Sequence, residues 1–375
     1  MKNKEYSSWV KQVSIIILTL LFFFLIEGTS YLLLMMLPEL SYDKNKISQT
    51  FEDYLENRDN VLGWNKIVNR YGNSRNLPNR KYVNDTIKQI DLYGDSFTYG
   101  AEVEDDSKIW SNIISKETNL IVNNKGVGGY GSDQSYLKFK FNKNPSEIVV
   151  LNHLSENIIR NVNQFRHLIY PSNYYDLKPR FIIDRDSLKL VDIPLIPVEE
   201  AELFKNNPNL YLDHEFFSIG QKSGIYFKKF PYSYTLLKSL FSNWKIKSQF
   251  NFYSGYQPFY NLKHSSNGIK ITSYILENFV KEAKSKGLRP VITIIPTFRD
   301  FQFYKKYGHF PYENLVDELH YQSYFIDFGK EINNLSLDLD TIESLYISRK
   351  GHMSENGHKL LARIFIDFLL NKNYL

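Results

Sequence analysis

The stretch Ile90-Asp91-Leu92-Tyr93-Gly94-Asp95-Ser96-Phe97-Thr98-Tyr99-Gly100 decides how this chain is read. An apolar, strand-like run over 87–93 stops at Gly94-Asp95-Ser96, and a polar, helix-compatible segment follows. A serine at the carboxyl end of a strand projects its hydroxyl where open α/β folds bind their ligands. A helix N-terminus beside it favours developing negative charge. Two readings of Ser96 are open at this point: a nucleophile, or a plain N-cap of a strand-to-helix turn. The partners found elsewhere in the chain have to decide.

Working outward, the pattern alternates. Spacing and β-propensity predict strands over 88–93, 119–124, 147–153, 290–296 and 324–328. Helical periodicity is expected over 110–117, 132–142, 269–286 and 356–370, with Gly287 as a C-cap signal. The run at 147–153, EIVVLNH, is continuously apolar, as in strands buried on both faces of a parallel sheet. Such alternation predicts a doubly wound α/β sandwich. Between about 165 and 263 the pattern fails in a stretch rich in Tyr, Phe, Pro and Asn, with only short strand-like runs such as 180–183. A structureless loop of that length runs against loop statistics, so a folded insertion or cap is expected there, a source of substrate selectivity whose fold is not readable.

The N-terminus carries a separate signal. Residues 13–37 are long and apolar enough to span a bilayer, interrupted only by Glu27-Gly28-Thr29-Ser30. No short apolar core with a small-residue cleavage site is seen, so an uncleaved anchor is expected. Lys2, Lys4 and Lys11 precede the span, whereas the other flank mixes Glu39 and Asp43 with Lys44 and Lys46. The positive-inside rule then makes this a single-pass cell-membrane protein with residues 1–12 cytoplasmic and the rest extracytoplasmic. Residues 38–85 read as a loosely packed juxtamembrane tether with Phe51, Tyr54 and Trp64 as anchors, and 86–373 as the main domain. Glu27 is an intramembrane carboxylate, by default a functional-site candidate. The reading preferred here is a position near the outer interface, a protonated state, or a helix-pairing role.

The chain has 375 residues, 43% of them hydrophobic, and its +5 net charge is spread without a basic block, which gives no reason to expect nucleic acid as a partner. Protein partners are not readable. The absence of cysteine excludes disulfides, thiolate zinc sites and cysteine nucleophiles. Aromatics reach 16%, so exposed aromatic surface is expected somewhere.

A nucleophilic serine needs a base, an oxyanion hole and a group that orients the base. Directly after the second predicted strand comes Asn123-Asn124-Lys125-Gly126-Val127-Gly128-Gly129-Tyr130-Gly131. Its glycines let backbone amides approach a ligand, as an oxyanion donor must, or they form only a flexible loop. A GxGxxG fingerprint can almost be drawn through it, but no matching βαβ unit with a terminal acid follows. After the third strand, Asn157 could donate its side-chain amide to the same oxyanion or serve as a turn residue. Near the C-terminus, His352 stands just before a helix that Ser354 can cap, while His358 falls inside that helix. The two histidines lack a carboxylate cluster at matching spacing, so neither a metal nor another cofactor is expected.

Gly94-Asp95-Ser96-Phe97, then Asn124 with Gly126 and Gly129, then Asn157, then His352 with Gly357-His358 occur in the order of four sequence blocks. In this the chain resembles the SGNH/GDSL hydrolases, over about 87–370 with the insertion as a break. The resemblance implies a flavodoxin-like three-layer sandwich and hydrolysis or transfer of acyl esters. It implies Ser96 as nucleophile and His352 as general base, with the Ser96 and Gly129 amides and the Asn157 side chain as oxyanion hole. The chain looks closest to membrane-anchored members associated with O-acetylation of cell-surface polysaccharides.

One departure stands out. The family places Asp two or three residues before the final His, and here those positions hold Lys350 and Arg349. A triad carboxylate sets the histidine tautomer and stabilises the imidazolium, which a cation opposes. Asp338, Asp340 and Glu343 are the nearest upstream substitutes, a backbone carbonyl is another, and Asp95 reads as structural. The resulting expectation is an anchored extracytoplasmic serine esterase or O-acyltransferase acting on acyl esters, acetyl among them, of a surface glycan. The alternative is a catalytically degenerate glycan-binding or assembly protein of the same fold.

Overall fold

The computed structural model describes residues 2–37, 39–64, 88–221, 224–250 and 255–375. Nine strands occur in chain order: β1 (Ser41–Tyr42), β2 (Gln89–Tyr93), β3 (Ile121–Asn124), β4 (Ile148–Leu154), β5 (Arg180–Asp184), β6 (Ser187–Val191), β7 (Tyr226–Phe227), β8 (Arg289–Ile295) and β9 (Phe325–Asp327). Five of them form one fully parallel sheet in the order β3-β2-β4-β8-β9. All seven residues of β4 are buried, as are four of the five in β2, because helices cover both faces. The helices Trp110–Glu117 and Glu355–Asn371 meet on one face, with Trp110 and Phe365 edge to face at 5.7 Å. On the other face Ser132–Lys140 packs against Gly268–Ser285, with Phe139 and Phe279 at 4.8 Å. This is the doubly wound sandwich the alternation predicts, with the flavodoxin-like layering that the resemblance implies.

Every predicted strand and helix is present, with ends displaced by no more than two residues. The strand order also locates a crevice. After β2 the chain crosses to β3 on one side and then returns to β4 on the other. The sheet's switch point therefore lies between the carboxyl ends of β2 and β4, where such folds bind ligands.

The stretch 165–263 is folded into the same core rather than laid over it. Its antiparallel β5–β6 hairpin pairs Arg180 with Val191, and Phe165, Leu177, Phe204, Phe217 and Phe259 are buried. Of the expected tether 38–85, residues 39–64 are described, and they pack closely. β1 pairs in parallel with β7 of the insertion, Phe51 and Tyr54 stack around Tyr175, and Trp64 Nε1 donates to the Gly128 carbonyl at 3.1 Å. The remainder, 65–87, lies outside the described residues.

The N-terminal helix Lys2–Met36 runs without a break through Glu27-Gly28-Thr29-Ser30. Its segment Ser8–Met36 is long and apolar enough to cross a membrane. Glu27 is buried against the insertion: its carboxylate accepts hydrogen bonds from the Tyr232 amide (2.5 Å) and from the Ser233 hydroxyl.

Candidate active site

Ser96 opens the short helix Ser96–Tyr99 immediately after β2, with its side chain 9% exposed at the sheet's switch point. It is not the N-cap that the bland reading allowed. Asp95 takes that place, its Oδ1 accepting from the Phe97 amide at 2.9 Å, so the Ser96 hydroxyl is released from capping. The loop after β3 is pressed onto this helix. A Cβ on Gly126 would lie 2.5 Å from the Tyr99 nitrogen and 2.9 Å from the Asp95 oxygen, so the loop approaches because residue 126 is glycine. Gly129, in the same loop, adopts φ +80°, with the Arg166 guanidinium over it.

His352 arrives from the other end of the chain, on the turn before the final helix. Ser354 caps that helix as expected, its hydroxyl accepting from the Gly357 amide at 3.3 Å. His352 Nε2 lies 2.8 Å from Ser96 Oγ, a nucleophile–base contact across 256 residues of sequence. On the far side of the ring, Nδ1 lies 3.3 Å from the Glu102 carboxylate, which also sits 3.4 Å from the His352 backbone amide. The Nδ1 contact is within ion-pair distance, yet Nδ1 makes no aligned hydrogen bond among the described residues. Glu102 holds φ +67°, a left-handed backbone that non-glycine residues adopt sparingly and that clusters at functional sites.

The acid facing His352 is thus none of the upstream candidates. Glu343 is engaged by Arg349 at 2.9 Å, and Asp338 caps the helix Leu339–Ser344. The cations at 349 and 350 line the cleft mouth instead of opposing the imidazole from the acid's position. His358 is buried within the final helix, with Nδ1 3.4 Å from the Trp110 amide, and takes no part in the site.

Asn157 begins the helix Asn157–Arg160 after β4, on the other side of the switch point. It is fully buried, and neither its Nδ2 nor its Oδ1 has a hydrogen-bond partner among the described residues. A buried amide left unpaired is destabilising, so its retention here points to a ligand that would pair it.

Arg160, which sequence reasoning passed over, ties the loops together. Its guanidinium bonds Asp95 (3.2 Å), the Tyr130 carbonyl (3.0 Å) and Glu156 (2.6 Å), joining the turns after β2, β3 and β4. Burial pushes the Asp95 carboxyl up, an effect that Arg160 opposes. Burial also raises Glu156, but Arg160, the Tyr170 hydroxyl and Arg166 together outweigh it and hold that carboxyl below its usual range.

A second Ser–His contact exists and is inert. His153 joins Ser132 Oγ (2.7 Å) to Tyr260 (3.0 Å), wholly buried, and burial pushes its imidazole down to about 3. It stays neutral and has no route to substrate.

The dyad is flanked by a cleft of about 270 Å³. Phe97 and Gly351, chain neighbours of Ser96 and His352, line it together with Tyr170, Trp244 and Tyr256. Among the described residues no group of three or more His, Cys, Asp or Glu side chains is placed to hold a metal ion.

The site thus holds a serine hydroxyl at a parallel-sheet switch point, a histidine from the turn before the last helix at 2.8 Å, and a carboxylate behind the histidine. No family model matches the sequence, and no curated protein does. Among solved structures, a lipolytic G-D-S-L family protein from Desulfitobacterium hafniense is similar at 12% identity and TM-score 0.33, over 75% of this chain and 99% of that one. A second G-D-S-L family protein, from Veillonella parvula, is similar at 14% identity and TM-score 0.34, over 76% and 97% of the two chains. Likenesses at this level add no weight to the geometry above.

Proposed function

We propose that this chain is a membrane-anchored, extracytoplasmic serine esterase or O-acyltransferase acting on acyl esters, acetyl among them, of a cell-surface glycan. The observation that carries the reading is the 2.8 Å contact of Ser96 Oγ with His352 Nε2, backed by Glu102 at 3.3 Å from Nδ1. With a proton on Nδ1 facing the carboxylate, Nε2 is left to accept the serine proton. Ser96 Oγ attacks the ester carbonyl as His352 takes that proton, and the resulting oxyanion is held by the Ser96 and Gly129 amides and the Asn157 side chain. The imidazolium then protonates the leaving alcohol. Water, or a sugar hydroxyl in the transferase variant, attacks the acyl-enzyme with His352 again as base, which returns Ser96.

The anchor is the apolar segment Ser8–Met36, and the lysines before it orient the domain to the outside. Aromatic side chains in the cleft, Tyr170, Trp244 and Tyr256, suit stacking on sugar rings. The alternative, a degenerate binding protein, rests on the cations in the acid's usual place, and Glu102 beside His352 Nδ1 speaks against it. Purified full-length protein should release acid from p-nitrophenyl acetate, and Ser96→Ala should abolish the release. An unchanged rate in Ser96→Ala would exclude the mechanism. Supplying glycan alongside one donor ester and comparing free acid with acylated glycan separates hydrolase from transferase.

A further inference from the structure

The insertion does something at the N-terminal helix that catalysis does not require. From β7, which pairs with β1, the chain runs back along the N-terminal helix. Lys228 Nζ lies 2.8 Å from Met35 Sδ, the Phe230 ring packs 6.2 Å from Phe23, and Tyr232 packs 4.9 Å from Tyr31. The helix Tyr232–Ser242 then climbs back, and Asn243 Nδ2 closes onto the Glu39 carbonyl at 2.8 Å. Residues 228–242 thus form a hairpin of a non-helical arm and a helix laid against the outer end of the candidate span.

Glu27 explains how the two are joined. At the foot of this hairpin its carboxylate accepts from the Tyr232 amide at 2.5 Å, from the Ser233 amide at 3.4 Å, and from the Ser233 hydroxyl. The carboxylate satisfies amides that no turn of the hairpin helix can reach, and the helix N-terminus offsets its charge. Nine residues separate Glu27 from Met36, so the foot lies about 14 Å below the end of the span at 1.5 Å per residue. That matches about half of a hydrocarbon core roughly 30 Å thick.

The outward face of the hairpin is apolar. Phe230, Tyr234, Leu237 and Phe241 are exposed by 62, 57, 53 and 76%; the last three, spaced three and four along the helix Tyr232–Ser242, fall on one stripe, and Phe230 lies just before it. The span likewise exposes apolar side chains, among them Phe22, Phe24 and Leu25. Lys238 Nζ folds back over the Tyr234 ring at 4.5 Å and over Tyr226 at 5.5 Å, the posture of a cation reaching from an apolar layer toward its polar edge.

The hairpin ends in the active-site cleft. Trp244 and Lys245, directly after it, and Glu39, directly after the span, line the same cleft as Phe97 and Gly351. Arg299, Arg349 and Lys350 complete its rim. The mouth therefore opens where both membrane elements surface, with a tryptophan at the level such side chains favour and cations placed for an anionic headgroup.

We infer that residues 228–242 are a re-entrant hairpin inserted in the membrane leaflet beside the N-terminal span and locked to it by Glu27. This seats the Ser96 cleft on the bilayer, so the ester it processes is borne by an anionic, membrane-resident amphiphile. The substrate half rests on the esterase reading above; the hairpin half does not. A surface glycan meeting this requirement would be carried on a lipid.

Because the chain contains no cysteine, single-cysteine variants label cleanly. Full-length Phe230→Cys, Phe241→Cys and, as the exposed domain control, Leu335→Cys are reconstituted in phosphatidylglycerol vesicles and treated with a membrane-impermeant maleimide. Positions 230 and 241 should be protected by about tenfold or more relative to 335, and detergent should erase the difference. Equal labelling in vesicles overturns the hairpin. For the substrate, acetate release from vesicle-borne 1-palmitoyl-2-acetyl-phosphatidylglycerol is compared with the choline-headgroup analogue and with soluble p-nitrophenyl acetate. The anionic vesicle ester should be preferred, and a Phe230→Asp/Phe241→Asp double variant should lose about tenfold on it while keeping its rate on the soluble ester. No preference for the anionic vesicle ester overturns the substrate assignment. If no ester is turned over in a Ser96-dependent way, the esterase reading has failed, and the labelling result still decides the hairpin.

Discussion

Glu102→Gln tests the part of the site that no spacing rule announces. The substitution keeps the shape of the side chain 3.3 Å from His352 Nδ1 and removes its charge. At that separation a unit pair is worth about 1.3 kcal/mol in water and about 5 kcal/mol at an effective dielectric of 20. The Glu102 side chain is 50% exposed, which screens the pair toward the lower figure. Stabilisation of the imidazolium formed in the transition state should accordingly fall by about 1–2.5 kcal/mol, or about 5- to 70-fold in kcat. That is far less than the ~10⁴-fold found where a triad carboxylate is buried. KM on a small soluble ester should hardly move, because the lost interaction forms only as charge develops. High salt should lower the parent enzyme's kcat toward that of the variant. Steady-state kinetics of Glu102→Gln beside Glu343→Gln and Asp340→Asn decide the matter. If Glu102→Gln matches the parent within about twofold while either control falls by more, the acid has been misassigned.

Three further outcomes follow from the same geometry. Asn157→Ala should lose about 10²–10³-fold in kcat with little change in melting temperature, because the amide has no partner to lose among the described residues; a large stability loss at unchanged kcat would make it structural. Arg160→Met should destabilise by about 3–5 kcal/mol in denaturant melts by stranding Asp95 and Glu156, and a cost under about 1 kcal/mol would mean the three loops hold without it. Asp300 accepts from Ser155, Tyr256 and the Thr297 amide, and burial pushes its carboxyl up to about 6 from an ordinary 3.8. Between those values the folded protein holds a proton that the unfolded chain has released. Stability should therefore decline by roughly 3 kcal/mol as pH rises from about 4 to about 6, and then level off in that respect. Asp300→Asn should remove that component of the slope, and an unaltered slope would place the titration elsewhere.

Strand–helix alternation and the apolar N-terminal segment were legible in the residues alone, which also offered Ser96, Asn157 and His352 as candidates, while Gly129 was singled out by the resemblance. Each is a local signal: a period of two or 3.6, a run of apolar side chains, or a polar residue at the end of a predicted strand. The functions of Glu102, Arg160 and Glu27 were not. Glu102 lies six residues after the serine but 250 before the histidine it faces, and its role depends on a left-handed backbone that no propensity announces. Arg160 matters because three separate loops converge on one guanidinium. The insertion was unreadable because its segments find partners far away, β7 with β1 and Ser233 with Glu27, so its order is imposed by pairing rather than by periodicity. The sequence by itself determined which chemistry was available and on which sheet edges. Only the tertiary structure decided which carboxylate faces the base, and that the cleft opens beside the span, because distances across a switch point are set by packing and not by spacing along the chain.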